Sequence, residues 1–291
     1  MKILANDGIS QSGIDDLTAA GFEVLTTTVA QEQLVNFINS ENIVALLVRS
    51  ATTVRQDLID ACPGLKIIGR GGVGMDNIDV SYAREKGLSV INTPAASSES
   101  VAELVFAHLF SGVRFLYDSN RSMPLEGEKK FKNLKKAYAK GTELRGKTLG
   151  VIGFGRIGQA TAKMALGLGM KVITFDPFME KTTVSLSFFD GQTVDFEIKT
   201  VSKETVLKES DFITLHVPAQ KDFVIGEAEL NMMKKGAALI NAARGGVVNE
   251  VALVAALDAD KLSFAGLDTF ENEPTPAVQI LMNSKISLTP H

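Results

Sequence analysis

Leu149-Gly-Val-Ile-Gly153-Phe-Gly155-Arg156-Ile157-Gly158 decides the fold: a β-branched apolar run enters a glycine-rich turn and then a stretch with helical spacing. Each glycine has a physical task. The first permits a tight turn, the second lets backbone approach a pyrophosphate, and the third lets helix and strand pack closely, while the helix N-terminus offers free N–H groups to phosphates. The next apolar run, KVITFD, ends in Asp176, 18 residues beyond Gly158, where a carboxylate would accept hydrogen bonds from adenosine ribose hydroxyls. That carboxylate repels a 2′-phosphate, and Pro177-Phe178 supplies no arginine to receive one, so the pattern predicts NAD rather than NADP.

Outward from this motif the same β-α alternation runs in both directions. After it come DFITLHV, ALINAA, FAGLDTF and ISLTPH; before it come KILAND (2–7), FEVLTTT (22–28), IVALLVRS (43–50), LKIIGRGG (65–72) and LSVINTP (88–94), with helical spacing in 10–20, 30–40, 55–61 and 77–86. Strands alternating with helices predict two doubly wound parallel-sheet, Rossmann-like α/β domains: a flavodoxin-like domain over 1–97 and a nucleotide-binding domain over 98–285, with 286–291 returning toward the first. Ser100-Val-Ala-Glu103 has the form of a capping box that opens a long helix. Residues 122–146, polar and lysine-rich, read as an arm outside the core. Asp190-Gly191-Gln192 between SLSFF and TVDFEI predicts an inserted hairpin near 186–198.

Composition excludes other classes. The 291 residues fit about two domains at roughly 150 residues each. With 30 Lys and Arg against 34 Asp and Glu, a net charge of −4 leaves no basic excess for a nucleic-acid backbone. No apolar run has the roughly 18 residues that cross a bilayer, and MKILANDGIS lacks a signal peptide's apolar stretch, so a soluble, cytoplasmic chain is expected. One cysteine (Cys62) and three histidines (His108, His216, His291) make a metal site unexpected. Cys62 and His108, the latter inside ELVFAHLF, read as structural residues.

A dinucleotide fold serves many reactions, so function rests on the remaining polar residues. Arg244 in Asn241-Ala242-Ala243-Arg244-Gly-Gly, Glu273 in DTFENEP and His291 in ISLTPH each follow a strand. The carboxyl edge of an open α/β sheet is where ligands bind, so an arginine, a glutamate and a histidine can converge there.

LLVRSATTV (46–54), GRGGVGMDNID (69–79), NTPAASSESVAEL (92–104), GTELRGKTLGVIGFGRIG (141–158) and NAARGGVVNE (241–250) give the chain a resemblance, over essentially its whole length, to the D-isomer-specific 2-hydroxyacid dehydrogenases. The resemblance implies an NAD-dependent oxidoreductase in which His291 exchanges the hydroxyl proton. Glu273 would orient its ring, and Arg244 would bind the substrate carboxylate and the oxygen that becomes a carbonyl. It implies cofactor contacts at Val73, Gly153, Gly155, Arg156, Ile157, Gly158, Asp176, His216, Val217, Pro218, Ala242, Ala243, Arg244 and Asp268. The backbone of Gly72, Val73 and Gly74 would bind the same carboxylate, with Ser50 nearby. Arg49, Arg70 and Lys136 would receive a phosphate, which makes the expected partner a phosphorylated 2-hydroxy acid. The long helix and the arm would join two copies into a homodimer through the NAD-binding domain. Further chain is expected to follow His291. A reductase of small unphosphorylated oxo acids, and a non-catalytic NAD-sensing protein resembling corepressor relatives, remain open alternatives. Ala95, Ala96, Ser97 and Ser98 stand where the family carries glycine and asparagine.

Overall fold

In the computed structural model, which describes residues 1–291, the apolar runs become the strands of two parallel sheets, carried by two compact units, Met1–Ser97 and Ser98–His291. In the first unit β1 (Lys2–Ala5), α1 (Gln11–Ala19), β2 (Glu23–Leu25), α2 (Gln31–Ser40), β3 (Ile43–Val48), α3 (Gln56–Ala61), β4 (Ile67–Arg70), α4 (Val80–Glu85) and β5 (Ser89–Asn92) follow one another. The strand order is β2-β1-β3-β4-β5, the flavodoxin-like order. FEVLTTT yields only three strand residues, at the sheet edge beside β1. Leu4, Leu34, Ile38, Ile43, Leu46 and Ile68 are all but sealed from solvent and form the core between sheet and helices.

The second unit opens with α5 (Ser98–Val113) and α6 (Leu116–Ala137). It continues through β6 (Thr148–Ile152), α7 (Arg156–Gly167), β7 (Lys171–Phe175), β8 (Lys181–Ser187), β9 (Thr193–Lys199), α8 (Lys203–Glu209) and β10 (Phe212–Leu215). It closes with α9 (Glu227–Met232), β11 (Ala237–Asn241), α10 (Glu250–Asp258), β12 (Leu262–Leu267), α11 (Val278–Leu281) and β13 (Ile286–Leu288). All strands of its main sheet, in order β13-β12-β11-β10-β6-β7, run parallel. The order reverses between β6 and β10, and that crevice is the switch point where open α/β sheets bind ligands. Beyond β7, the position of a further strand is reduced to one bridge, Thr174 with Thr200. Two apolar clusters cover the two faces, one around Ile213, Leu239 and Leu253, the other around Leu109 on α5, Phe154 in the glycine loop and Ala162 on α7.

Four expectations are corrected. The final strand belongs to the second unit's sheet: β13 pairs with β12 from Ala265↔Ile286 to Leu267↔Leu288, because its apolar Ile286 completes the second core. The helix expected from Ser100 starts at Ser98, so Ser100 and Glu103 lie within it rather than at its cap. The lysine-rich arm is mostly helix: α6 bends at Lys130 (φ −121°, ψ 20°), and Lys130 reaches Glu126 at 3.0 Å. High charge argues against burial, and only Leu134 of α6 is buried, but lysine, glutamate and leucine are good helix formers and tolerate Pro124. The inserted hairpin is longer than expected, Lys181–Ser187 against Thr193–Lys199, with its turn at Phe188–Gln192 and Gly191 at φ 86°. Its period-two pattern turns Val184 (1% exposed) into the core, while Phe188 and Phe189, in the turn beyond the strand pairing, lie in solvent.

Candidate functional site

The glycine loop after β6 has the shape its sequence requires. Gly153 has φ 89°, and a Cβ there would stand 2.5 Å from the His216 carbonyl oxygen. A Cβ on Gly158 would stand 2.2 Å from the Gly153 carbonyl, so α7 packs directly on the loop. At Gly155, the N-cap of α7, a Cβ would meet nothing within 4 Å. Two glycines are therefore required by the protein itself, and the third leaves open space in front of a helix N-terminus. That is a cradle for a pyrophosphate, with Arg156 and Ile157 opening the helix.

Asp176, just past β7, organises this cradle. One carboxylate oxygen accepts from the Phe154 N–H at 2.7 Å and the other from the Phe178 N–H at 2.8 Å. The acid is thus fixed beside the loop, and its remaining lone pairs are available to ribose hydroxyls.

Across the switch point, β10 delivers His216, Val217 and Pro218. The His216 Nε2 lies 3.2 Å from the Thr161 hydroxyl and 3.1 Å from the Thr214 hydroxyl, while its Nδ1 is buried without a partner. Thr161 spends its proton on the Ile157 carbonyl, so it accepts from His216 and the imidazole carries its proton on Nε2. The orphaned Nδ1 and the open space at Gly155 both fit a bound dinucleotide. Burial pushes the His216 pKa down to about 3. The unfolded chain protonates this ring near pH 6.5 and the folded one does not. Stability is therefore expected to fall as pH drops from about 6.5 toward 3, by roughly 2–3 kcal/mol at pH 4.5. Urea titrations at pH 7 and pH 4.5 on the protein and its His216→Gln variant measure this; equal losses in both would refute it.

The polar residues after β11, β12 and β13 gather at the same carboxyl edge. The loop after β11 is braced by Asn241, whose side chain accepts from the Ala243 N–H at 3.1 Å and donates to the Arg244 carbonyl at 2.9 Å. Arg244 also donates through Nη1 to the Ala243 carbonyl at 2.7 Å. A Cβ on Gly245 would stand 1.9 Å from the Phe270 carbonyl oxygen, so this loop touches the segment carrying Glu273. Glu273 in turn accepts from the Phe270 N–H at 2.9 Å with one oxygen and lies 2.8 Å from His291 Nδ1 with the other. An ionised carboxylate only accepts, so Nδ1 carries the proton and Nε2 is left as a base. Asp268 is held by the Thr289 hydroxyl at 2.6 Å.

Lys136 lies in the last turn of α6, two residues before Tyr138, which donates to Asp118 and stacks near Phe115. Phe115 and Asp118 line a cavity of about 640 Å³ with Lys147, Asp211, Gly236 and Ser284, at the amino ends of the strands. Lys136 itself is exposed on α6.

In the first unit, Arg49 and Ser50 follow β3, Arg70 ends β4, and Gly72, Val73 and Gly74 follow it. The Arg49 loop is fixed by residues the sequence reading passed over. Asp7 accepts from the Arg49 N–H at 2.6 Å and from the Thr52 hydroxyl at 2.6 Å, and Asn77 donates to the Arg49 carbonyl at 2.8 Å. Asn92 donates to the Val73 carbonyl at 2.7 Å. In the second unit the reading missed Thr289 and Glu250. Thr289 stands two residues from Ser287, and that period-two spacing could have flagged both as facing α5. Buried Glu250 exchanges 2.7 Å hydrogen bonds with Glu271: the N–H of each donates to the carboxylate of the other. Burial and the neighbouring carboxylates of Glu271 and Glu273 raise its pKa. No helix is long and apolar enough to cross a membrane.

The family model described as D-isomer specific 2-hydroxyacid dehydrogenase, NAD binding domain, matches residues 106–291. The chain is 40% identical over 293 residues to a D-3-phosphoglycerate dehydrogenase of Methanocaldococcus jannaschii, covering 100% of this chain and 53% of that protein. It thus spans about half the length of such curated relatives. It is 42% identical over 274 residues to a hydroxypyruvate reductase of Thermotoga maritima, covering 92% of this chain and 83% of the other. Among solved structures, D-2-hydroxyisocaproate dehydrogenase superposes with a TM-score of 0.81 at 27% identity, covering 100% of this chain and 89% of that one.

Proposed function

The chain belongs to the D-isomer specific 2-hydroxyacid dehydrogenase family, and from that premise we propose that it oxidises 3-phospho-D-glycerate to 3-phosphooxypyruvate with NAD, the entry step of serine synthesis. The observation that carries the chemistry is the His291–Glu273 pair at 2.8 Å beside the Arg244 loop. Bound NAD would supply the hydride acceptor, in the cradle of Gly153, Gly155 and Gly158 with Asp176 on its ribose. His291 Nε2 takes the proton from the 2-hydroxyl as C2 gives up its hydride, and Glu273 stabilises the imidazolium that forms. Arg244 binds the carboxylate and the oxygen that becomes the carbonyl, a two-point task for a planar guanidinium. Reversal of the same proton transfer serves reduction.

The phosphate preference rests on Arg49 and Arg70 at the ends of β3 and β4, and it is supported by the phosphoglycerate dehydrogenases among the relatives. Hydroxypyruvate and glyoxylate reductases among the relatives support the rival reading, a reductase of unphosphorylated oxo acids. Arg49→Ala separates the two. On the phosphoglycerate reading it raises KM for 3-phospho-D-glycerate at least tenfold and leaves KM for hydroxypyruvate within twofold, as expected for loss of a charge-assisted hydrogen bond to phosphate. Equal KM values for the phosphorylated acid would refute the assignment.

The protein is further proposed to act in the cytoplasm as a homodimer joined through the NAD-binding domain. Exposed Leu116 and Met123, seven residues apart on one face of α6, support this, since neighbouring exposed apolar side chains ask for a partner. Light scattering at micromolar concentration should give twice the chain mass. A monomer would rule the dimer out.

A further inference from the structure

His108, which the sequence presents as an ordinary core histidine, is the centre of a hydrogen-bonded chain that ends at the candidate site. It is 2% exposed on α5, and its Cβ and Cγ occupy the space a side chain on Gly266 would need, at 2.7 and 2.8 Å. Its Nδ1 lies 2.8 Å from the Ser287 hydroxyl and its Nε2 3.1 Å from the Thr289 hydroxyl. Ser287 and Thr289 alternate along β13 and its extension, so both face α5, and the Thr289 N–H is itself tied to the Leu267 carbonyl at 3.0 Å.

Proton bookkeeping fixes the direction of the chain. The Thr289 hydroxyl has one proton and donates it to the Asp268 carboxylate at 2.6 Å, an acceptor only. Toward His108 its oxygen therefore accepts, which requires the proton on Nε2. Nδ1 then accepts from Ser287. The run is His108 Nε2–H to Thr289 O–H to Asp268, each group having one geometry that satisfies its neighbours. Such chains reinforce one another in a low-dielectric interior. The backbone N–H of Asp268 also donates to the Asn241 carbonyl at 2.9 Å, which joins this network to the Arg244 loop.

We propose that His108 is a positioning residue: as the Nε2–H tautomer it fixes the Thr289 hydroxyl that orients Asp268, and so sets, from α5, the carboxylate that the cofactor site presents after β12. This rests on the dehydrogenase reading. Without the imidazole, the Thr289 oxygen loses its donor, the hydroxyl is free to rotate, and the carboxylate loses its fixed orientation.

Four variants and one spectrum test this on the full chain, with NADH fluorescence titration as the binding readout. His108→Leu is expected to raise the NADH Kd about fivefold. His108→Gln, whose amide can donate from the place of Nε2, should return it to within twofold of the parent, whereas His108→Asn reaches only the place of Nδ1 and should not. Thr289→Val should match His108→Leu, and the double variant should add nothing, as expected for two members of one chain. Nitrogen-15 NMR of the histidine ring should report the proton on Nε2. A role in packing alone moves the melting temperature and leaves this pattern of Kd values absent. Parental NADH affinity in His108→Leu, equal rescue by Asn and Gln, additive effects, or the Nδ1–H tautomer would each overturn the proposal. If His108→Leu does not fold, the Gln, Asn and Thr289→Val variants decide. A parent chain that binds no NADH would instead overturn the dehydrogenase reading itself, and this inference with it.

Discussion

Replacing His291 with alanine is expected to lower kcat for 3-phospho-D-glycerate oxidation by about 10³-fold while leaving the NADH Kd within twofold, the range associated with loss of a positioned general base. The ring is the group whose free nitrogen can take the hydroxyl proton, because Nδ1 is committed to Glu273 at 2.8 Å. Without it the proton must go to water. Glu273→Gln should cost about 10²-fold by a different route. The amide can present an N–H to Nδ1, which stabilises the tautomer with its proton on Nε2 and leaves no base facing the substrate. The two variants therefore differ in cause, and the Gln variant should keep a fraction of activity that rises with substrate saturation no further than the alanine one does. Stopped-flow measurement of NADH formation checks both. Activity of His291→Ala within tenfold of the parent would remove His291 from the reaction.

Arg244→Ala should reduce kcat/KM by about 10³-fold, and Arg244→Lys by about 10²-fold. Removing one member of a desolvated charge pair costs about 2–5 kcal/mol, and a lysine restores charge without the two parallel N–H donors that match a carboxylate. The loop should survive these changes. Its turn is held by Asn241 on both sides, and Gly245 packs on the Phe270 carbonyl, so the arginine side chain is carried by the scaffold. Steady-state kinetics beside a melting curve test this. A lysine variant with parental kcat/KM would show that charge alone suffices and that no bidentate contact is made.

Much of the fold was legible because its signals are local. The alternation of apolar runs and helical spacing announced two parallel sheets, and the Gly153–Gly158 pattern with Asp176 announced the cofactor strand, turn and helix. These patterns depend on side-chain period and on backbone space, both written residue by residue. The helix over Leu116–Ala137 was less legible, because a lysine-rich surface and a solvated helix have the same composition. The destination of β13 was not legible at all: three residues, Ile286–Leu288, carry no label for the sheet they join.

The sequence by itself supplied the glycine loop, Asp176, Arg244, Glu273 and His291, each after a strand end, because each residue's chemistry is intrinsic; the reaction proposed for them came through the family resemblance. Tertiary structure alone decided which groups meet. It set Glu273 on His291 rather than elsewhere, gave Arg49 its brace in Asp7 and Asn77, and joined His108 to Thr289 across 181 residues and Thr289 to Asp268 across 21. Such meetings depend on how helices cross a sheet and on which strand lies beside which. No local pattern encodes them, since packing selects them from many polar pairs of equal chemical merit.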